Sequence, residues 1–128
     1  MNQAIQVSQP SWTQEELNNL IIDAIQDIKG KRTVKLDLRR IEDAPTDFFV
    51  ICQGDSSTQV KAIAGNISKR LRETYAVLPN HVEGLGGGTW VCLDYFNTVV
   101  HVFHYETRTF YELEDLWGDA KFTEYETL

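Results

Sequence analysis

The side chains that could hold a transition metal are His81, His101, His104, Cys52 and Cys92, and no CxxC or HxxxH spacing links them. His101 and His104 are three apart, which in or beside a strand points them to opposite faces, so a structural zinc site is not expected. Ser56 and Ser57 lie at a strand-to-helix turn, where a nucleophile could be exposed. Their surroundings read Gly54-Asp55-Ser56-Ser57-Thr58 rather than G-x-S-x-G, and helix capping accounts for them. The run Gly84-Leu85-Gly86-Gly87-Gly88 precedes a strand instead of opening a helix, and it lacks the Gly-Lys-Ser/Thr ending of a phosphate loop. It reads as a flexible connection. Two-metal phosphoryl chemistry needs carboxylates converging from a strand, commonly at i and i+2. Only Glu112/Glu114 and Glu124/Glu126 have that spacing, and neither pair lies in an expected strand. No catalytic set survives, so the chain is expected to be neither an enzyme nor a carrier of a cofactor.

What remains is binding, and charge narrows the choice of partner. The 128 residues carry a formal net charge of −7. From Glu106 onward, seven acids (Glu106, Glu112, Glu114, Asp115, Asp119, Glu124, Glu126) face only Arg108 and Lys121. Phosphate backbones repel such a surface, so direct nucleic-acid binding is not expected and a basic protein partner fits better. An acidic surface also serves solubility alone. No apolar run approaches the roughly 18 residues that span a bilayer. The first ten residues resemble neither a secretory signal nor a transit peptide, which makes the cytoplasm the expected compartment. In that setting Cys52 and Cys92, each inside an apolar run, are expected as buried free thiols.

The length suits one domain, which can bury roughly two-thirds of its unfolded surface. Thr13 and Glu16 form a capping-box pattern ahead of Leu17, Leu20, Ile21, Ala24, Ile25 and Ile28 at helical spacing, with Gly30 as the stop. Val34, Leu36 and Leu38 alternate as in a strand over 33–38. Arg39 to Asp47, with Pro45, is a connection, and the FFVICQ run over 48–53 reads as a strand in the middle of a sheet. A second amphipathic helix carries Val60, Ile63, Ala64, Ile67 and Leu71 and ends near Tyr75. The chain after Pro79 reads as loop through Gly88. Strands over 90–94 and 98–103, joined by Tyr95-Phe96-Asn97, form an antiparallel hairpin. Short helical pieces follow to Trp117. The organisation expected is a flexible tail over 1–10, a domain over 11–120 and an acidic tail over 121–128. The fold class is α/β, with a single mixed sheet and the helices mainly on one face.

That arrangement leaves a second sheet face to be explained. Val91, Leu93, Val100 and Val102 suit packing beneath helices. Trp90, Cys92, Asp94, Val99, His101 and Phe103 point the other way. Aromatic anchors beside a few polar groups resemble a protein-binding patch. Alternatively, the C-terminal helices cover this face, which makes Trp90 a core residue and Asp94–His101 a buried pair.

Several segments together resemble the RsfS/Iojap family of ribosomal silencing factors. They are Asp47-Phe48-Phe49-Val50-Ile51-Cys52 with Gly54 and Ser57, then Glu83-Gly84, Trp90-Val91-Cys92-Leu93-Asp94 and Val99-Val100-His101-Val102-Phe103. Arg108 and Tyr111-Glu112-Leu113-Glu114-Asp115-Leu116-Trp117 complete the set. The resemblance runs from about Leu17 to Ala120. It implies a nucleotidyltransferase-like fold lacking the catalytic acids. It also implies binding to ribosomal protein fourteen of the large subunit on the intersubunit face, which blocks small-subunit joining and represses translation. The family's binding surface falls here on Trp90, Asp94 and His101. The adjoining Val99, Phe103, Tyr111, Glu112 and Trp117 extend it. A homodimer through the open sheet face is also implied. The sequence departs from the family at Tyr95-Phe96-Asn97 and in the Gly-rich loop. The competing readings are a divergent nucleotidyltransferase-like enzyme and a homodimeric scaffold without a ribosomal role.

Overall fold

A computed structural model describes residues 11–111 and 113–128; the expected N-terminal tail and Glu112 lie outside the described residues. Helix α1 (Gln14–Asp27) starts on the expected capping box. Thr13 Oγ1 accepts from the Glu16 amide at 3.1 Å, and Glu16 Oε1 accepts from the Thr13 amide at 3.0 Å. The stop differs in one detail. Lys29, at φ 60°, takes the left-handed turn expected of Gly30. Gly30 is needed instead because a Cβ there would sit 2.4 Å from Ile25 Cγ2.

Strand β1 (Lys31–Asp37) pairs antiparallel with β2 (Phe48–Gly54), with a register shift between Lys31 and Val34. All seven residues of β2 are buried, as a continuous apolar run in mid-sheet requires. Helix α2 (Ser57–Tyr75) begins at Ser56, whose hydroxyl accepts from the Gln59 amide at 3.1 Å. It ends as expected at Tyr75, where Ala76 adopts the left-handed conformation. The hairpin is formed by β4 (Trp90–Asp94) and β5 (Thr98–His104), and β5 runs parallel to β2. Two short helices follow, α3 (Tyr105–Tyr111) and α4 (Leu113–Leu116).

Two segments depart from the sequence expectation. His81–Glu83 is a short strand, β3, pairing with β4, where a loop was expected. Lys121–Tyr125 is the edge strand β6, pairing antiparallel with β1 through five residues, where an acidic tail was expected. Both escape hydrophobic patterning for the same reason: backbone hydrogen bonds hold them, and edge strands carry charged, exposed side chains. The six-stranded mixed sheet has the order β3-β4-β5-β2-β1-β6.

The two long helices pack against each other and on one sheet face, enclosing Leu17, Ile21, Ile25, Val50, Ile63, Ile67, Leu71, Val91, Val100 and Val102. The second face carries a smaller core of Val34, Leu36, Leu38, Phe49, Ile51 and Phe103, against which Ile41, Ala44, Trp90, Val99, Trp117 and Ala120 pack. No helix among the described residues is long and apolar enough to cross a membrane.

Candidate functional site: the second face of the sheet

The hairpin register places Trp90 opposite Phe103, Cys92 opposite His101 and Asp94 opposite Val99. These six residues share one face, as their alternation predicts. They are not equally available. Trp90, Cys92, Asp94 and Val99 are half-buried, His101 retains 7% of its surface and Phe103 none. Phe103 therefore lies beneath the patch, stacked under Trp90 with ring centroids 5.0 Å apart. A side chain with no exposed surface cannot meet a partner, so Phe103 supports the site from below.

His101 sits among aromatic rings. Phe49 meets it edge-on at 4.7 Å, and Trp117 meets Phe49 edge-on at 6.0 Å. The C-terminal segment thus covers the Phe49 end of this face and leaves Trp90 partly exposed. The two sequence alternatives were a partly open, partner-binding face and one covered by the C-terminal helices. The C-terminal segment covers part of the face, and Trp90, Cys92, Asp94 and Val99 stay half-buried. Phe49 is the residue the patterning missed, because its run reads as uniformly apolar with no face preferred.

The Asp94–His101 pair that the covered-face alternative called for does not form. Asp94 Oδ1 instead accepts from the Phe96 amide at 2.8 Å, capping a turn in which Phe96 has φ 70°. His101 Nδ1 accepts from Trp90 Nε1 at 3.0 Å, and Cys92 Sγ lies 3.4 Å from the same nitrogen. An accepting Nδ1 assigns the proton of the neutral ring to Nε2. Nε2 is buried and has no hydrogen-bond partner among the described residues. Burial holds the imidazole pKa down to about 4, so the ring is neutral near pH 7.

Of the other site residues, Trp117 is half-buried beside α4. Tyr111 ends α3, and Glu112 lies outside the described residues. Gly84 has a role that sequence did not suggest. At φ 88° it brings the backbone so near Trp90 that a Cβ would lie 1.9 Å from the Trp90 carbonyl oxygen. The Gly-rich segment is thus a turn between β3 and β4, closed by a Gly88 amide to Gly84 carbonyl bond of 3.1 Å.

Arg108 anchors the cover. It is buried, donates through Nε and Nη2 to Glu114 Oε2 at 3.2 and 2.7 Å, and donates through Nη1 to the Arg32 carbonyl. It thereby ties α3 to α4 and to the irregular start of β1.

The two thiols are free, as expected. Cys52 lies in the core under the helices and Cys92 on the opposite face. Burial pushes their pKa values up to about 12 and about 11, which suits packing and opposes thiolate chemistry. No group of three metal-ligating side chains occurs among the described residues.

These features define a small α/β protein whose distinctive surface is an aromatic and acidic patch on the second face of a mixed sheet. A family model described as "Ribosomal silencing factor during starvation" matches residues 11–128. The ribosomal silencing factor RsfS of Halalkalibacterium halodurans is 39% identical over 112 residues, covering 88% of this chain and 94% of that protein. The Bacillus subtilis factor of the same name is 36% identical and covers 84% and 89%. A crystal structure of a Chromobacterium violaceum protein superposes with a TM-score of 0.79 at 36% identity, over 84% of this chain and 88% of that one. The chain belongs to the RsfS family of ribosomal silencing factors. The family match includes 121–128, in agreement with β6 as part of the domain.

Proposed function

We propose that this chain binds the large ribosomal subunit at ribosomal protein fourteen, on the intersubunit face, and prevents the small subunit from joining. Translation is repressed by occupancy of a shared surface, with no turnover. Support comes from relatives named ribosomal silencing factor RsfS and from a mouse relative named "Mitochondrial assembly of ribosomal large subunit protein 1", 35% identical over 74 residues. The observation that carries the reading is the half-buried Trp90, stacked on Phe103, with Asp94 and Val99 further along the same face beyond the Cys92–His101 pair. An aromatic anchor on a rigid sheet, with the Asp94 carboxylate on the same face, suits a basic protein surface.

The test is co-sedimentation with separated large and small subunits, followed by addition of the missing subunit. Binding to large subunits alone, with fewer whole ribosomes formed, is the expected result. Binding to neither subunit would overturn the reading. Trp90→Ala is expected to weaken large-subunit binding by about 2 kcal/mol or more, roughly thirtyfold, in protein that remains folded by circular dichroism. Asp94→Asn keeps an acceptor for the Phe96 amide and removes only the charge. It is expected to slow association at low salt and to match the unmodified chain at high salt. A deficit independent of salt would argue against steering by this carboxylate.

A further inference from the structure

His101 retains 7% of its surface and lies edge-on to Phe49, so it offers a partner almost nothing to touch. Its one hydrogen bond to a ring is directed sideways, from Trp90 Nε1 to its Nδ1 at 3.0 Å. Its other nitrogen is buried with no hydrogen-bond partner among the described residues. A buried N–H left in this way lowers stability, and an apolar side chain of similar size would avoid the loss. Packing therefore gives no reason for a histidine here. Orientation of the neighbouring indole does. A tryptophan at the end of a strand can rotate about two side-chain torsions. Stacking on Phe103 restrains the plane of the ring without specifying which edge faces outward. An acceptor at a defined point beneath the sheet surface selects one rotamer. It also occupies the indole N–H, so what Trp90 presents is carbon surface.

We infer that His101 is a positioning residue: it locks the Trp90 indole for apolar contact with the partner and does not itself touch the partner. The inference rests on the large-subunit reading above and deepens it. It also sets the kind of pocket that Trp90 enters, one lined by apolar groups or the stem of a long cation, with no acceptor required for the indole N–H.

A double-mutant cycle in the sedimentation assay tests this, using the full chain. His101→Leu removes the acceptor and leaves no orphaned ring nitrogen, so the fold is expected to survive; His101→Gln restores a side-chain oxygen that can accept from Trp90. His101→Leu is expected to weaken large-subunit binding about tenfold, and His101→Gln to recover most of it. Trp90→Phe has no N–H to orient. In that background, His101→Leu is expected to have no further effect. The Trp90 indole proton, followed by NMR, is expected to exchange with solvent faster in His101→Leu than in the unmodified chain or in His101→Gln. An equal loss from His101→Leu in both backgrounds would show that the imidazole contacts the partner directly, which would overturn the inference. Unchanged indole exchange would do the same without any ribosome present. If the unmodified chain does not bind large subunits, the functional reading fails, and the positioning role with it.

Discussion

Replacing Arg108 with methionine is expected to destabilise the fold by about 3–5 kcal/mol, the range seen when one partner of a buried ion pair is removed. The Arg108 side chain retains 4% of its surface and Glu114 22%, so little water is available to replace the lost partner. The variant leaves the Glu114 carboxylate facing a low-dielectric site, where Oε1 already has no hydrogen-bond partner among the described residues. It also strips a donor from the Arg32 carbonyl, at a residue with φ 49° in the irregular start of β1. A charge left in this way is worse than no charge. The double replacement Arg108→Met with Glu114→Met is therefore expected to recover most of the lost stability. Urea denaturation of the three proteins measures this. A loss below about 1 kcal/mol for the single variant would mean that the pair is screened like a surface bridge. Because Arg108 fastens the segment beside Trp117, the single variant should also uncover Phe49 before the sheet itself unfolds, seen as early hydrogen exchange over 105–117.

The second large effect is on pH. Burial lowers the His101 pKa to about 4, against an ordinary value near 6.5. The unfolded chain therefore binds a proton on this ring that the folded chain excludes between those two values. The sign follows directly: the stability associated with the neutral ring is full above about 6.5 and is lost as pH falls toward about 4. At about 1.4 kcal/mol per pH unit the loss reaches roughly 3 kcal/mol. Protonation also turns Nδ1 from acceptor to donor, so it faces the Trp90 N–H with a proton of its own. Asp37, held at about 2 chiefly by its hydrogen bond from Arg39, titrates below this window. His101→Gln isolates the effect, because it keeps an acceptor for Trp90 and does not titrate. Between pH 7 and pH 5 the unmodified chain should lose melting temperature while His101→Gln holds nearly constant. Parallel behaviour of the two would show that carboxylates elsewhere account for the acid sensitivity.

Much of the fold was legible because it is governed by local rules. The Thr13–Glu16 box, the apolar periodicity of α1 and α2 and the buried run of β2 each follow from a few neighbouring residues. So does the sharing of one face by Trp90, Cys92, Asp94, Val99, His101 and Phe103, since strand alternation follows from covalent geometry. The strands β3 and β6 were not legible, because edge pairing satisfies backbone groups and leaves no apolar period behind. The segment over 121–128 read as a tail for the same reason.

Within the candidate site, the sequence by itself determined membership of the face and the chemical types on it. Only the tertiary structure decided which of those residues can meet a partner. Phe103 and Trp90 are one register pair, yet one is sealed and the other half-exposed. Phe103 is stacked under Trp90 and beside His101, whereas the cover of Trp117 on Phe49, in a segment fastened by Arg108 to Arg32 76 residues away, leaves the indole partly exposed. It also decided that Asp94 caps a turn and that His101 turns to Trp90. Facing is a property of adjacent torsions, whereas burial is set by long-range packing between segments that no local pattern connects.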